Sequence, residues 1–106
     1  MASNEQLTTE FDQAMHDIYH RALNEAGYKA SIFMNMLFAN HGVETARRLI
    51  HSHNISAGYT ALWERKRLDL TVEALIHDKE KWHPLFSPEE IAICRSRLQQ
   101  YGYITP

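Results

Sequence analysis

The chain has 106 residues, of which 44% are hydrophobic and 23% charged, a composition typical of one globular domain. The formal charge of −2 at pH 7 lacks the positive excess of proteins that bind nucleic acid or anionic membranes by charge alone. One cysteine excludes an internal disulfide, and the longest apolar-rich run, residues 32–39, is far shorter than the roughly 20 residues of a membrane-spanning helix.

The N-terminal segment, residues 1–6, has neither a basic start nor an apolar run, so it does not resemble a secretory signal. We therefore expect a cytoplasmic protein with residues 1–7 frayed. The first predicted helix runs from about Thr8 to Ala26 and ends at Gly27. Its apolar stripe recurs at steps of three and four residues, as in an amphipathic helix. The stripe consists of Phe11, Met15, Ile18, Tyr19 and Ala22.

The second predicted helix starts near Tyr28–Ser31 and ends at Asn40–Gly42. Its sequence is apolar on nearly every side, which is typical of a central helix. A β-strand is the alternative for so short a run, but good helix formers and a glycine at each end favour a helix. We expect that one small domain cannot cover this helix fully. A third helix is predicted over Val43–His51.

Three further helices are predicted in the second half of the chain. The fourth has Ser56 as its N-cap and extends to Arg65. The fifth is short and begins at Asp69 or Thr71. The last runs from Pro88 to about Tyr101.

The start of the last helix has the strongest local signal in the chain. Ser87 is a good N-cap, Pro88 suits the first helical position, and Glu90 completes a capping box. The sequence therefore predicts an all-α fold, a compact bundle of five to six short helices in a single domain. The predicted core comprises Phe33, Met36, Leu37, Leu49, Leu62, Trp63, Leu75 and Leu98.

The sequence has no nucleophile motif, no glycine-rich phosphate loop and no paired cysteines. Cys94 falls on the predicted core face of the last helix, which favours a buried apolar role. Glu73 falls in a first helical turn, where a carboxylate suits the helix dipole. We therefore expect neither enzyme activity nor a cofactor.

Two of the seven histidines, His16 and His20, lie four residues apart and would share one helix face. That spacing can hold two ligands of a metal site. No third ligand follows from the local spacing, so a metal-dependent activity is only an alternative hypothesis. The other interpretation places both histidines on a solvated face.

The middle of the chain is basic. Residues 43–67 contain five basic and two acidic side chains, whereas residues 1–26 contain five acidic side chains and one arginine. Two predicted helices lie in this basic stretch, so association with nucleic acid is a second hypothesis. Alternatively, these side chains pair with the acidic first helix of the same molecule. The candidate contact residues are Arg47, Arg48, Arg65, Lys66 and Arg67.

Aromatic residues of the C-terminal half are the candidates for contact with a protein partner, because large rings with polar tips are common at interfaces. They are Tyr59, Trp63, Trp82 and Phe86. A structural role is the alternative, in which Trp63 and Trp82 clamp the short fifth helix onto the bundle.

Residues 28–102 resemble a group of small bacterial helical proteins and protein tails. The likeness rests on segments such as Gly58–Glu64 and, most distinctively, on Leu-Thr-Val-Glu-Ala-Leu at residues 70–75. It implies a bacterial origin and a common helical fold, and it carries over no catalytic residue. The first helix lies outside it.

The leading functional hypothesis is a non-enzymatic interaction or regulatory module that binds another protein or a second copy of itself. It depends on two observations: no motif for chemistry assembles, and the second helix is too apolar for a small domain to cover.

Overall fold

A computed structural model describes residues 4–105 and contains no strand within that range. Five α-helices and two 3₁₀ segments form one compact globule, which confirms the predicted all-α bundle. The α-helices are α1 (Asn4–Ala26), α2 (Ser31–Ile50), α3 (Ala57–Glu64), α4 (Val72–Asp78) and α5 (Pro88–Gln100). The 3₁₀ segments are Leu68–Leu70, before α4, and Glu80–Leu85, between α4 and α5.

Helix α1 begins earlier than predicted, at Asn4 rather than near Thr8. The predicted fraying of residues 1–7 falls partly on residues 1–3, which lie outside the described range. Residues 4–7 are helical, because Leu7 is buried in the core beside Phe11 and so holds the first turn in place.

Helix α2 contains the predicted second and third helices, separated by a break at His41. The backbone at His41 is non-helical, with φ 63° and ψ 179°, a region populated almost only by glycine. The sequence predicts the end of a helix at Asn40–Gly42. Gly42 is buried against α1, where a Cβ atom would lie 2.9 Å from the Cα of Asp12. The close approach of two helices therefore requires the glycine, and the histidine adopts the strained conformation.

The main core lies between α1, α2, α4, α5 and the 3₁₀ segment Glu80–Leu85. Phe11 is fully buried at its centre, and the rings of Trp82 and Phe86 each meet it edge to face at 5.3 Å. The predicted core is confirmed for Leu37, Leu62, Leu75 and Leu98, while Phe33, Met36 and Leu49 are only partly buried. Aromatic contacts from a connecting segment thus fix α1 onto the C-terminal helices.

The predicted caps in the C-terminal half are present. The N–H of Tyr59 donates to the side chain of Ser56, and the N–H of Ala74 donates to that of Thr71. At α5, the N–H of Glu90 donates to Ser87 Oγ, and the Ser87 N–H donates back to the Glu90 carboxylate. These reciprocal bonds form the predicted capping box, which fixes where α5 begins.

Candidate functional site

The first half of α2 exposes an uncharged surface with two large apolar side chains, which we call the α2 face. It consists of Ser31, Ile32, Asn35, Phe38 and Ala39, all solvent-exposed. Ile32 is 75% exposed and Phe38 is 72% exposed. Exposure of this extent is unusual for large apolar side chains grouped on one helix, and it marks the face as a candidate interaction site.

Helical geometry explains why these five residues lie together. At 3.6 residues per turn, their spacing places them within an arc of about 120°. The opposite side of the same segment carries Phe33, Met34 and Leu37, which pack on the main core. Residues 31–40 include no charged side chain. Depletion of charge is a property of the buried centre of protein–protein interfaces.

The two candidate metal ligands lie on α1, and one of them, His16, lies beside the α2 face. The ring of His16 meets Phe38 edge to face at 6.0 Å, and its Nε2 lies 3.8 Å from the carboxylate of Asp12. His20 packs edge to face on Tyr19. Among residues 4–105, no group of three or more His, Cys, Asp or Glu side chains is arranged to hold a metal ion. The metal hypothesis therefore gains no geometric support from this part of the chain.

Three of the four candidate aromatic residues are buried and serve the core. Trp82 and Phe86 pack on Phe11, as described above, and Tyr59 is fully enclosed. The hydroxyl of Tyr59 donates to the backbone carbonyl of Arg97 at 3.0 Å, and burial raises the pKa of this phenol. These rings join elements within the molecule and are not available to a partner.

Trp63 corrects the predicted core. Its side chain is 45% exposed and meets the ring of Tyr101 edge to face at 5.4 Å. It contacts the residue that follows α5 rather than clamping α4, because it lies at the edge of the buried face formed by Tyr59 and Leu62. Of the four aromatic candidates, Trp63 is therefore the one that a partner can reach.

The candidate nucleic-acid residues on α2 have partners within the chain. Arg47 donates from Nη2 to the carbonyl of Leu85 at 2.9 Å, and its Nε lies 3.5 Å from the carboxylate of Glu90. Arg48 donates from Nε to Glu44, one helical turn earlier, at 3.2 Å.

The candidates after α3 behave similarly. Arg67 bridges Glu25 of α1 at 2.7 Å and Asp69 at 3.0 Å, and the Arg21 and Arg67 guanidinium groups lower the pKa of Glu25 to about 2. Arg65 donates from Nε to the last carbonyl of α1, that of Ala26, at 3.1 Å.

Lys66 differs from the four arginines because it has no ion-pair partner among the described residues. Its backbone has φ 60° and ends α3 in a Schellman motif, in which the N–H of Arg67 donates to the carbonyl of Leu62. Arg65 and Arg67, in contrast, fix this loop against α1. Pairing within the molecule is the alternative that the charge pattern raised.

Two buried titratable groups lie away from the α2 face. Burial raises the pKa of the Cys94 thiol to about 12, so the thiol stays protonated and is a poor nucleophile near neutral pH. Burial also raises the pKa of Glu73, although Arg97 donates to its carboxylate from Nη1 at 2.9 Å. The sequence placed Glu73 in a first helical turn, which is correct, but local spacing gave no signal for the long-range ion pair.

Comparison with protein-family models, with curated proteins and with solved structures finds no match for this chain. Within residues 4–105, none of the helices combines the length and the apolar character needed to cross a membrane. The geometry of the chain itself therefore carries the functional argument. The sequence indicated the α2 face only through the excess of apolar residues in the second helix.

Proposed function

We propose that the protein is a non-enzymatic interaction module that associates with a second copy of itself through the α2 face. The exposure of Ile32 and Phe38 on one uncharged helical face carries this proposal. Burial of apolar surface against a partner is favourable by about 25 cal/mol for each Å² removed from water. An exposed pair of large apolar side chains therefore has a driving force for association.

The chemistry of the face favours a second copy over a charged partner. A two-fold contact places the same patch of each chain against the other. Because the α2 face has no charge, such a contact brings no like charges together. Ser31 and Ala39 are small, which allows two helices to approach closely around Phe38. A face of five residues is smaller than the roughly 20–30 residues a side of a standard interface, so we expect a weak dimer in rapid exchange.

Light scattering coupled to size exclusion tests this proposal, with the chain loaded over a wide range of concentrations at low and at high salt. We expect the mean mass to rise from that of one chain towards that of two as concentration increases. The rise should persist at high salt, since apolar burial is not screened by ions. A mass equal to one chain at every concentration would overturn the proposal.

A matched pair of substitutions locates the interface. Ala39 on the α2 face and Ala92 on α5 are both exposed helical alanines, so Ala→Glu makes the same chemical change at each. Ala39→Glu places a like charge on both copies at the contact and should abolish the dimer. Ala92→Glu should leave the dimer unchanged. Loss of the dimer in both variants, or in neither, would place the interface elsewhere.

The same experiment separates this proposal from association with nucleic acid, provided that absorbance is recorded at 260 and 280 nm. Binding through the basic stretch predicts excess absorbance at 260 nm that is lost as salt increases. We expect no such excess, because Arg47, Arg48, Arg65 and Arg67 already have partners within the chain.

A further inference from the structure

A cavity of about 310 Å³ lies between α1, the first half of α2, α3 and the start of α4. Its floor is built from buried apolar side chains, among them Ile18, Ala22, Leu62 and Leu70. Ligand sites in proteins are typically mostly apolar pockets of about 300–1,000 Å³. The volume and lining of this cavity therefore match a site for a small apolar group.

Three polar side chains of the lining, Ser56, Thr71 and Glu73, already have partners inside the protein. Ser56 accepts a bond from the N–H of Tyr59, Thr71 caps α4, and the Glu73 carboxylate accepts from Arg97. No buried polar group there needs water or a polar ligand atom. The interior of the cavity is consequently suited to an aliphatic chain.

The mouth of the cavity differs from the floor, because it has positively charged groups that no partner among residues 4–105 neutralises. Lys29 lies at the mouth and has no ion-pair partner among residues 4–105. Helix α2 begins directly after it, with no side chain capping its N-terminus at Ala30. Within the same range, the backbone N–H groups of Ile32 and Phe33 have no acceptor. Unpaired N–H groups at a helix N-terminus favour an anion.

We infer that this cavity, which we call the Lys29 cavity, binds a free medium-chain fatty carboxylate. The aliphatic chain occupies the apolar interior, and the carboxylate lies at the mouth between the Lys29 ammonium and the first turn of α2. The charge of the mouth and the apolar floor together select a ligand with one anionic end and one apolar end. The cavity lies within a single chain, so this site does not require a second copy, although Ser31 and Ile32 belong both to its lining and to the α2 face.

Titration of the ¹⁵N-labelled protein, followed by amide chemical shifts, tests the inference with three probes of equal chain length: decanoate, decanol and decyltrimethylammonium. We expect decanoate to shift the amides of the cavity lining and to bind about tenfold more tightly than decanol. The cationic probe should bind more weakly still. Shortening the carboxylate should weaken binding about fourfold for each methylene removed. Equal affinity for all three head groups, or no shift in the lining, would overturn the inference.

Substitutions at the mouth distinguish a specific head-group contact from general apolar binding. Lys29→Glu should weaken the binding of decanoate about tenfold or more and leave the affinity for decanol nearly unchanged. Lys79→Glu is the charge-matched control, because Lys79 is exposed and is not part of the cavity lining. It should change neither affinity. A similar loss in both variants would indicate a long-range charge effect and would count against the site.

A third substitution tests the interior. Gly58→Leu adds a side chain to the lining beside the ring of Tyr28 and should abolish binding of decanoate and of decanol alike. If this variant fails to fold, the chain-length series decides the same question in the native protein.

Two further measurements separate sources of the ligand and separate the two proposals. Vesicles of phosphatidylglycerol and phosphatidylcholine should not bind more tightly than free decanoate; binding to vesicles alone would overturn the inference. The Ala39→Glu variant should bind decanoate like the native chain. Loss of binding in that variant would contradict a site within one chain and overturn the inference.

Discussion

The two ends of α2 differ in whether side chains form hydrogen bonds with their unpaired backbone groups. Every helix leaves about four N–H groups unpaired at its start and four carbonyls at its end. At the end of α2, Arg97 from α5 donates to the carbonyls of Leu49, Ile50 and Ser52 at 2.9–3.1 Å. At the start, the N-cap is Ala30, which offers no side-chain acceptor.

This difference separates stability from binding along one helix. The guanidinium of Arg97 is largely buried and also pairs with Glu73, so the end of α2 is part of the core. The start of α2 combines the exposed residues of the α2 face with N–H groups and a lysine that have no partner among residues 4–105. An uncapped helix start lowers stability, and its position beside an apolar cavity and an exposed face supports a binding role there.

Among the substitutions that test this comparison, removal of Arg97 should lower stability most. Arg97→Met leaves the carboxylate of Glu73 buried without its partner and three carbonyls without a donor. Breaking a buried ion pair in this way typically costs about 3–5 kcal/mol of unfolding free energy. Urea denaturation monitored by circular dichroism should show this loss. A loss below about 1 kcal/mol would show that the ion pair is not a core element.

The pH dependence of Arg97→Met gives a sharper test. Burial holds the pKa of Glu73 above its ordinary value of 4.5, and the bond from Arg97 opposes that rise. A raised pKa in the folded state means that stability from this group is complete below 4.5 and is lost as pH rises through the folded value. The substitution raises this pKa further, so its cost should be larger at pH 8 than at pH 5. Addition of Glu73→Gln should remove the difference.

Substitution of Gly42, beside the break in α2, should have the second largest effect on stability. Gly42→Ala places a Cβ atom 2.9 Å from backbone of α1, so one helix must move. Forced overpacking of this kind costs about 1–3 kcal/mol, and contact with backbone puts the cost at the upper end. Gly58→Ala is the control, because its Cβ would make only ordinary contacts at 3.7 Å. That change should stabilise α3 by about 0.5–1 kcal/mol. Thermal melts of both variants would show opposite signs.

The sequence predicted the parts of this fold that local signals specify. The caps Ser56 and Ser87 were correct, as was Thr71, one of the two predicted starts of the fifth helix, because a hydroxyl next to a helical pattern acts within three residues of itself. The excess of apolar residues predicted that part of the second helix is exposed, but it did not identify which residues are exposed. Their identity depends on which side of α2 faces α1 and the core, which is a property of packing.

Tertiary contacts account for the wrong predictions. Trp63 follows the periodicity of a core residue, but it lies at the edge of the buried face of α3, which is formed by Tyr59 and Leu62. The sequence predicted Gly42 only as the end of a helix, whereas close packing against Asp12 requires a glycine at this position. The partners of Arg97 lie 24 to 48 residues away along the chain, and no spacing rule reaches that far.

Relief of strain at His41 should stabilise the protein. Its φ of 63° and ψ of 179° suit glycine, and a strained residue of this kind costs about 1–3 kcal/mol. Since glycine also loses more entropy on folding, we expect His41→Gly to gain about 1 kcal/mol. Asn40→Gly is the neighbouring control; it lies in regular helix, donates to the Met36 carbonyl, and should lose about 1 kcal/mol. If both variants lose stability, His41 is held by contacts that outweigh its strain.

A cap at the open end of α2 should produce the smallest change in stability and the clearest change in binding. Ala30→Asp supplies a carboxylate to the free N–H groups, and we expect a gain of about 0.5–1 kcal/mol. The low value reflects the ψ of 68° at Ala30, which differs from the extended backbone at Ser87. Removal of that cap, Ser87→Ala, should lose about 1 kcal/mol. If the first turn of α2 binds an anionic head group, the carboxylate of Ala30→Asp must repel that group. This variant should therefore bind decanoate more weakly while its melting temperature rises. A variant that is more stable and binds equally well would show that the open helix end has no part in the site.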